Sequence, residues 1–280
     1  MQTQETRCRL PLTHSLKLPL ALSIAICVLT AASSVVGLVG RPTVYPTEDL
    51  VRAFLANDIV NLLVGLPILL LSLWLARSER LAGLLLWPGA LVYTVYNFLI
   101  YVLAVPPSWA FLMHLLLVAL SWLTLSVVLA VVDHQAVGTQ LADRVPARLS
   151  GGILAALGAL FALRAIGSLA AAITSGVPLS GADVAVNAAD VLISPMWIAG
   201  GVLLWKRTAY GYVIGLGLLF QACMLFVGLI AVLLLLPALT GAPLALVDVI
   251  VVAAMSLISF VPFIRYLRGV SSVGQPAAPN

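Results

Sequence analysis

Charge is what this chain has least of. Asp, Glu, Lys and Arg make up 9% of its 280 residues, while 62% are hydrophobic and the mean hydropathy is +1.16. A soluble domain carries about a quarter charged residues and about half apolar ones, so this composition excludes a water-facing surface over most of the chain. The bilayer must be the solvent. Cysteine is scarce too. Cys8, Cys27 and Cys223 have no paired spacing, and two of them fall in apolar runs, so neither a disulfide framework nor a metal ribbon is supported. Histidine is equally thin. His14 and His134 lie outside the apolar runs, which leaves one intramembrane histidine, no metal-ligand set and no pair of haem ligands.

Further absences narrow the chemistry. No lysine lies in an apolar run, which excludes a Schiff-base retinal pigment. There is no G-x-S-x-G elbow and no Walker A loop, so a serine hydrolase and a P-loop nucleotidase are excluded. No cofactor is implied. The formal net charge of +4 sits in short loops, where it reads as a topology signal and not as a nucleic-acid surface.

What the chain does have is eight apolar runs, at 18–39, 56–76, 81–105, 109–132, 149–174, 184–205, 210–236 and 244–264. At 1.5 Å per residue each crosses a hydrocarbon core of about 30 Å. Pro106-Pro107-Ser108, Ser175-Gly176-Val177-Pro178 and Thr240-Gly241-Ala242-Pro243 separate some of them, and Arg77-Ser78-Glu79-Arg80 and Lys206-Arg207 are charged stops. The first run exceeds the 7–15 residues of a signal-peptide core and reads as a membrane helix. Cleavage after Ala31-Ala32-Ser33 is the alternative. The expected fold is an all-α polytopic membrane protein of eight transmembrane helices.

Eleven of the fourteen basic residues fall on one side when the N-terminus is cytoplasmic: Arg7, Arg9, Lys17, Arg77, Arg80, Arg144, Arg148, Lys206, Arg207, Arg265 and Arg268. Arg41 and Arg52 fall on the other, and Arg164 lies inside a run. This positive-inside bias requires an even number of spans and puts both termini in the cytoplasm, in an inner (plasma) membrane. The chain then divides into a cytoplasmic segment 1–17, a four-helix half 18–134, a linker 135–148, a second half 149–266 and a disordered tail 267–280. Residues 40–55 form the one long external segment, and their later part is expected to make a short interfacial helix.

The halves overlay. A slide of 129 residues brings Asp58 onto Asn187, Asn61 onto Asp190 and Arg77 onto Lys206, with Pro67 one residue from Pro195. A parallel repeat of two four-helix units gives this pattern. Chance alignment of Ala/Leu-rich helices gives it as well.

Charged groups inside the runs need a reason, since each costs roughly 2.5–3.5 kcal/mol at mid-helix. Asp58, Arg164, Asp183, Asp190 and Asp248 are such groups. Asp183, Asn187, Asp190, Ser194 and Trp197 share one helical face of the sixth run, and Asp58, Asn61, Gly65 and Ser72 one of the second. Tyr93, Asn97 and Tyr101 form a stripe on the third run with Tyr96 beside them, and His114 opens the fourth. Depth brings these groups to one level, so the simplest geometry is a polar pocket open to the outside. The candidate site is Asp58, Asn61, Asn97, Tyr101, His114, Arg164, Asn187 and Asp190, with Arg164 paired to Asp190 or Asp58.

Each member also has an ordinary reading. Asp58 and Asp183 sit near run starts, where carboxylates cap helices, and Asp248 fits a position near the membrane interface. The tyrosines fit an aromatic belt, and a lone histidine fits a hydrogen-bonded core. Three functions remain open: binding or transport of a small solute or ion, with membrane lipids as the surroundings; an accessory subunit whose polar groups fix packing; and an intramembrane enzyme using Asp190 or Asp58 as base and His114 as acid.

Overall fold

The protein is an all-α polytopic membrane protein. The computed structural model describes residues 10–241 and 243–273. Cys8, Arg7, Arg9, Ala242 and the tail beyond residue 273 lie outside the described residues. Among the described residues eight helices are long and apolar enough to cross a membrane. In chain order they are α1 (Lys17–Val39), a second span built from α3 (Glu48–Val60), a π turn (Asn61–Gly65) and α4 (Leu66–Arg77), then α5 (Leu81–Ala104) and α6 (Trp109–Val131). The second half has α8 (Ala147–Ser175), α9 (Gly181–Trp205), α10 (Ala209–Thr240) and α11 (Leu246–Ser271). Two short helices, α2 (Arg41–Val44) and α7 (His134–Leu141), fill the connections.

The helix starts follow from capping chemistry. Thr47, Ser108, Asp133, Ser180 and Thr208 each accept a hydrogen bond from the backbone N–H three residues on, which satisfies one of the orphan donors at a helix start. Gly176 and Gly241 end α8 and α10 in the left-handed conformation, at φ 69° and 70°, where a Cβ would be penalised.

Several boundaries differ from the sequence reading. The second span begins at Glu48 and not at 56, because Thr47 caps a helix that continues without a break into the apolar run. The linker is not all irregular, since its first half is α7. The expected tail loses its first residues to helix. Residues 267–271 belong to α11, where Gly269 packs against the Arg144 carbonyl and Arg144 Nη1 donates to Ser272 O at 3.0 Å.

The two halves share a contact scheme, although α8 and α9 are much the closest pair in the second half and have no equally close match in the first. In each, the first helix contacts the second and fourth, and the second and third form a tight hairpin: α1, α3–α4, α5 and α6 in one half, α8, α9, α10 and α11 in the other. The halves join through α5 and α10, which cross where Gly89 and Gly217 bring backbone onto backbone. α5 also touches α9, and α10 touches α3. Consequently α5 is buried almost all round, including Trp87, whose Nε1 donates to Ser23 Oγ on α1 at 3.0 Å. Beside this crossing an apolar recess of about 210 Å³ lies between α6 and α9, with Leu125, Leu129, Met196 and Gly200 on its walls.

Candidate functional site

Polar groups inside the bundle do not converge on one cavity. They form two clusters, one in each half, and α5 supplies a tyrosine to both.

The first is built around Asp58, which is 1% exposed. It lies ten residues into α3, so it is no helix cap. Tyr45 donates its hydroxyl to Oδ2 at 2.6 Å, and Tyr101 donates to Oδ1 at 2.8 Å. Asn61, one turn on, donates from Nδ2 to the Tyr101 oxygen at 3.4 Å. Gly37 of α1 lies against the carboxylate so closely that any β-carbon there would overlap Oδ2. Phe54 packs on Tyr101 at 4.4 Å between ring centroids, and the His114 ring lies 4.8 Å from the same tyrosine. His114 is buried, and its Nδ1 has no hydrogen-bond partner. Among the described residues no Arg, Lys or His forms an ion pair with Asp58; the ion pairs are Arg52 with Glu48 and Arg164 with Asp190. A carboxylate held in this way has hydrogen bonds and no counter-charge. Tyr45 lies in the connection between spans, and burial, reinforced by Asp58, raises its phenol well above the ordinary value, so it stays a hydroxyl donor.

The second cluster is built around Asp190, 2% exposed. Arg164 of α8 donates to Oδ2 in an ion pair, and Tyr96 of α5 donates to Oδ1 at 2.7 Å. The Arg164 side chain remains 53% exposed and lies over the Phe161 ring at 5.9 Å. Asn187, one turn before Asp190, donates to Ser168 Oγ at 3.2 Å and to the Asp183 carbonyl at 2.9 Å, while its own Oδ1 is unpartnered. Tyr96, Phe161, Ser194, Trp197 and Leu225 line a cleft beside the carboxylate. About 10 Å³ of it is open to the centre of a water molecule, enough for roughly one water. Further along α9, Trp197 Nε1 donates to Gln221 Oε1 at 2.5 Å.

Five of the eight expected site residues therefore belong to the two clusters by a direct bond: Asp58, Asn61 and Tyr101 in the first, Arg164 and Asp190 in the second. Asn187 lies one turn from Asp190 but bonds Ser168 and its own helix instead. His114 joins the first through ring contact. Asn97 joins neither, because its Nδ2 turns back to the Tyr93 carbonyl of its own helix at 3.0 Å. Arg164 pairs with Asp190 and not with Asp58. Asp183 and Asp248 are exposed in the first turns of α9 and α11, and Asp183 accepts from the capping Ser180 at 2.7 Å. Neither is a helix cap: Ser180 caps α9, and α11 starts after Ala245 with no side-chain cap.

Two contributors escaped the sequence reading. Tyr45 lies in a loop with no periodicity to mark it, and Gly37 is one of many small residues on α1. Tyr96 was visible beside the α5 stripe, but only tertiary packing aims it at α9. Among the described residues no group of three His, Cys, Asp or Glu is placed to hold a metal ion. No protein-family model matches the chain, and neither a curated protein nor a solved structure is detectably similar to it.

Proposed function

We propose that the protein binds and moves a small cation, or a solute carried with a proton, using Asp58 as the exchangeable acid and the Arg164–Asp190 cleft as the second polar station. The observation that carries this is the contrast in counter-charge. Asp190 is neutralised from within the protein, whereas Asp58 has two tyrosine donors and no cation. Burying an uncompensated carboxylate is costly, so a proton or a cation from outside completes the site. The surroundings are membrane lipids. The eleven basic residues that the sequence order assigns to one side of the spans support an inner-membrane orientation with both termini cytoplasmic.

The enzyme reading has less support. The cleft beside Asp190 has room for about one water and lacks His114, which packs on the Tyr101 ring in the Asp58 cluster with its Nδ1 unpartnered and no bond to the Asp58 carboxylate.

The test is carbodiimide labelling in liposomes, read by peptide mass spectrometry, together with proton flux reported by an entrapped pH dye. Asp58 should be labelled and Asp190 should not. Sodium, potassium or lithium should protect Asp58 if a cation is the ligand, and Asp58→Asn should abolish flux. Absence of label at Asp58, with wild-type flux equal to that of empty liposomes across those ions, would sink the proposal.

A further inference from the structure

The turns between the second and third helices of each half are the same structure. In the first, Ser78 N–H donates to Trp74 O, Glu79 N–H to Ala76 O, Arg80 N–H to Leu75 O and Leu84 N–H to Arg80 O. In the second, Lys206 donates to Val202, Arg207 to Leu204, Thr208 to Leu203 and Tyr212 to Thr208. Every pair of equivalents is 128 positions apart. Both are Schellman closures, and both put a non-glycine residue at the left-handed position, Glu79 at φ 58° and Arg207 at φ 56°. Those two are the only non-glycine residues with positive φ among the described residues.

The same spacing recurs around them. α4 ends at Arg77 and α9 at Trp205, and α5 begins at Leu81 and α10 at Ala209. Gly83 packs on Leu75 and Ala76, as Gly211 packs on Leu203 and Leu204. Pro67 and Pro195 also match at 128. The crossing glycines, Gly89 and Gly217, are 128 apart and touch each other, as residues on an axis relating two copies must.

Before Pro67 the spacing changes to 129. Asp58 then corresponds to Asn187 and Asn61 to Asp190, and in each case the neighbour comes from the first helix of the half: Gly37 of α1 abuts Asp58, and Ser168 of α8 accepts from Asn187. Between these two registers the first half has one residue more than the second. That is where the π turn Asn61–Gly65 lies, with the Leu66 N–H reaching back to Asn61 O, whereas α9 is plain α-helix throughout. A π turn is how a helix absorbs one extra residue without rotating either flank.

We infer that the chain is two copies of one four-helix unit, related by an axis through the Gly89–Gly217 crossing, with the π turn as a one-residue insertion in the first copy. Asp58 and Asp190 are then one site occurring twice, written Asp-x-x-Asn in the first copy and Asn-x-x-Asp in the second. That the two sites serve the same class of ligand rests on the function proposed above. The duplication and the insertion do not.

The test reads folding, so it is independent of any flux. Leu63 and Leu192 are equivalents at spacing 129, and both face outward, at 69% and 58% exposure, so neither deletion empties the core. Deleting Leu63 should convert the π turn to α-helix and leave a monodisperse detergent-solubilised protein melting within a few degrees of wild type. Deleting Leu192 rotates one flank of α9 against the other by about 100° and should abolish the folded peak. Equal outcomes for the two deletions, whether both tolerated or both lost, would overturn the insertion.

A second pair tests the site. The double variant Asp58→Asn, Asn61→Asp adopts the second copy's order and keeps one carboxylate on Tyr101, so it should melt close to wild type. Asn61→Asp alone crowds two carboxylates into one cage and should melt well below it. A double variant as unstable as the single would overturn the equivalence.

Discussion

Asp58 and Asp190 occupy comparable depths in their helices, are equally buried, and each accepts a hydroxyl from α5, Tyr101 in one case and Tyr96 in the other. They differ in what completes them. Asp190 has an arginine that is half exposed beside it, and Asp58 has a second tyrosine and a glycine backbone pressed against it. The first arrangement is an internal ion pair and is electrically closed. The second satisfies hydrogen bonds and leaves charge unbalanced. Burial alone therefore does not distinguish the two acids; the source of the counter-charge does.

The largest expected effect is at the closed site. Arg164→Gln strands a buried carboxylate and should cost about 3 kcal/mol, the lower end for a broken buried pair because the guanidinium is half exposed. Adding Asp190→Asn should recover most of that loss in a detergent melting curve. A double variant no better than the single would mean that the pair does not hold this half together.

Next comes Gly37→Ala, where the new β-carbon meets Asp58 and Tyr45. Overpacking of this kind should cost about 2 kcal/mol, with the excess removed in an Asp58→Ala background. Equal penalties in both backgrounds would show that Gly37 matters for something other than the carboxylate.

A smaller difference separates the tyrosines. Tyr101→Phe removes one of only two hydroxyl donors to an uncompensated acid and should cost about 1.5 kcal/mol, more than Tyr96→Phe, whose acceptor keeps Arg164. The reverse order, measured by melting temperature, would erase the distinction drawn between the sites.

The smallest change is expected for Asp58→Asn. It keeps hydrogen-bond capacity toward both tyrosines while removing unbalanced charge, and should be neutral or stabilising by up to about 1 kcal/mol. A large loss of stability would show that the ionised acid is itself structural.

Much of the architecture was legible without coordinates. Runs of twenty or more apolar residues have one low-energy solution in a bilayer, the helix, so the count of spans followed from hydropathy alone. Periodicity put Asp58 with Asn61 and Asn187 with Asp190, since i, i+3 residues share a helical face whatever surrounds them. Less legible were the ends. A Thr47 cap carried the second span back to Glu48, and packing on residues 144–145 carried α11 past the expected tail. The overlay of the halves was visible as residue pairs, but Arg77 matches Trp205 and not Lys206, and it is the π turn that accounts for the change of register before the prolines.

Composition and pattern thus determined the solvent, the helical secondary structure and which acids fall in or beside apolar runs, because these depend on local hydropathy and helix geometry. Which acid receives Arg164, which receives two tyrosines, and that Asp183 and Asp248 end exposed were decided by the tertiary structure. Those outcomes depend on side chains from helices distant in sequence meeting at one point. Arg164 and Asp190 are 26 positions apart, and Tyr96 and Asp190 are 94, contacts that no local pattern encodes.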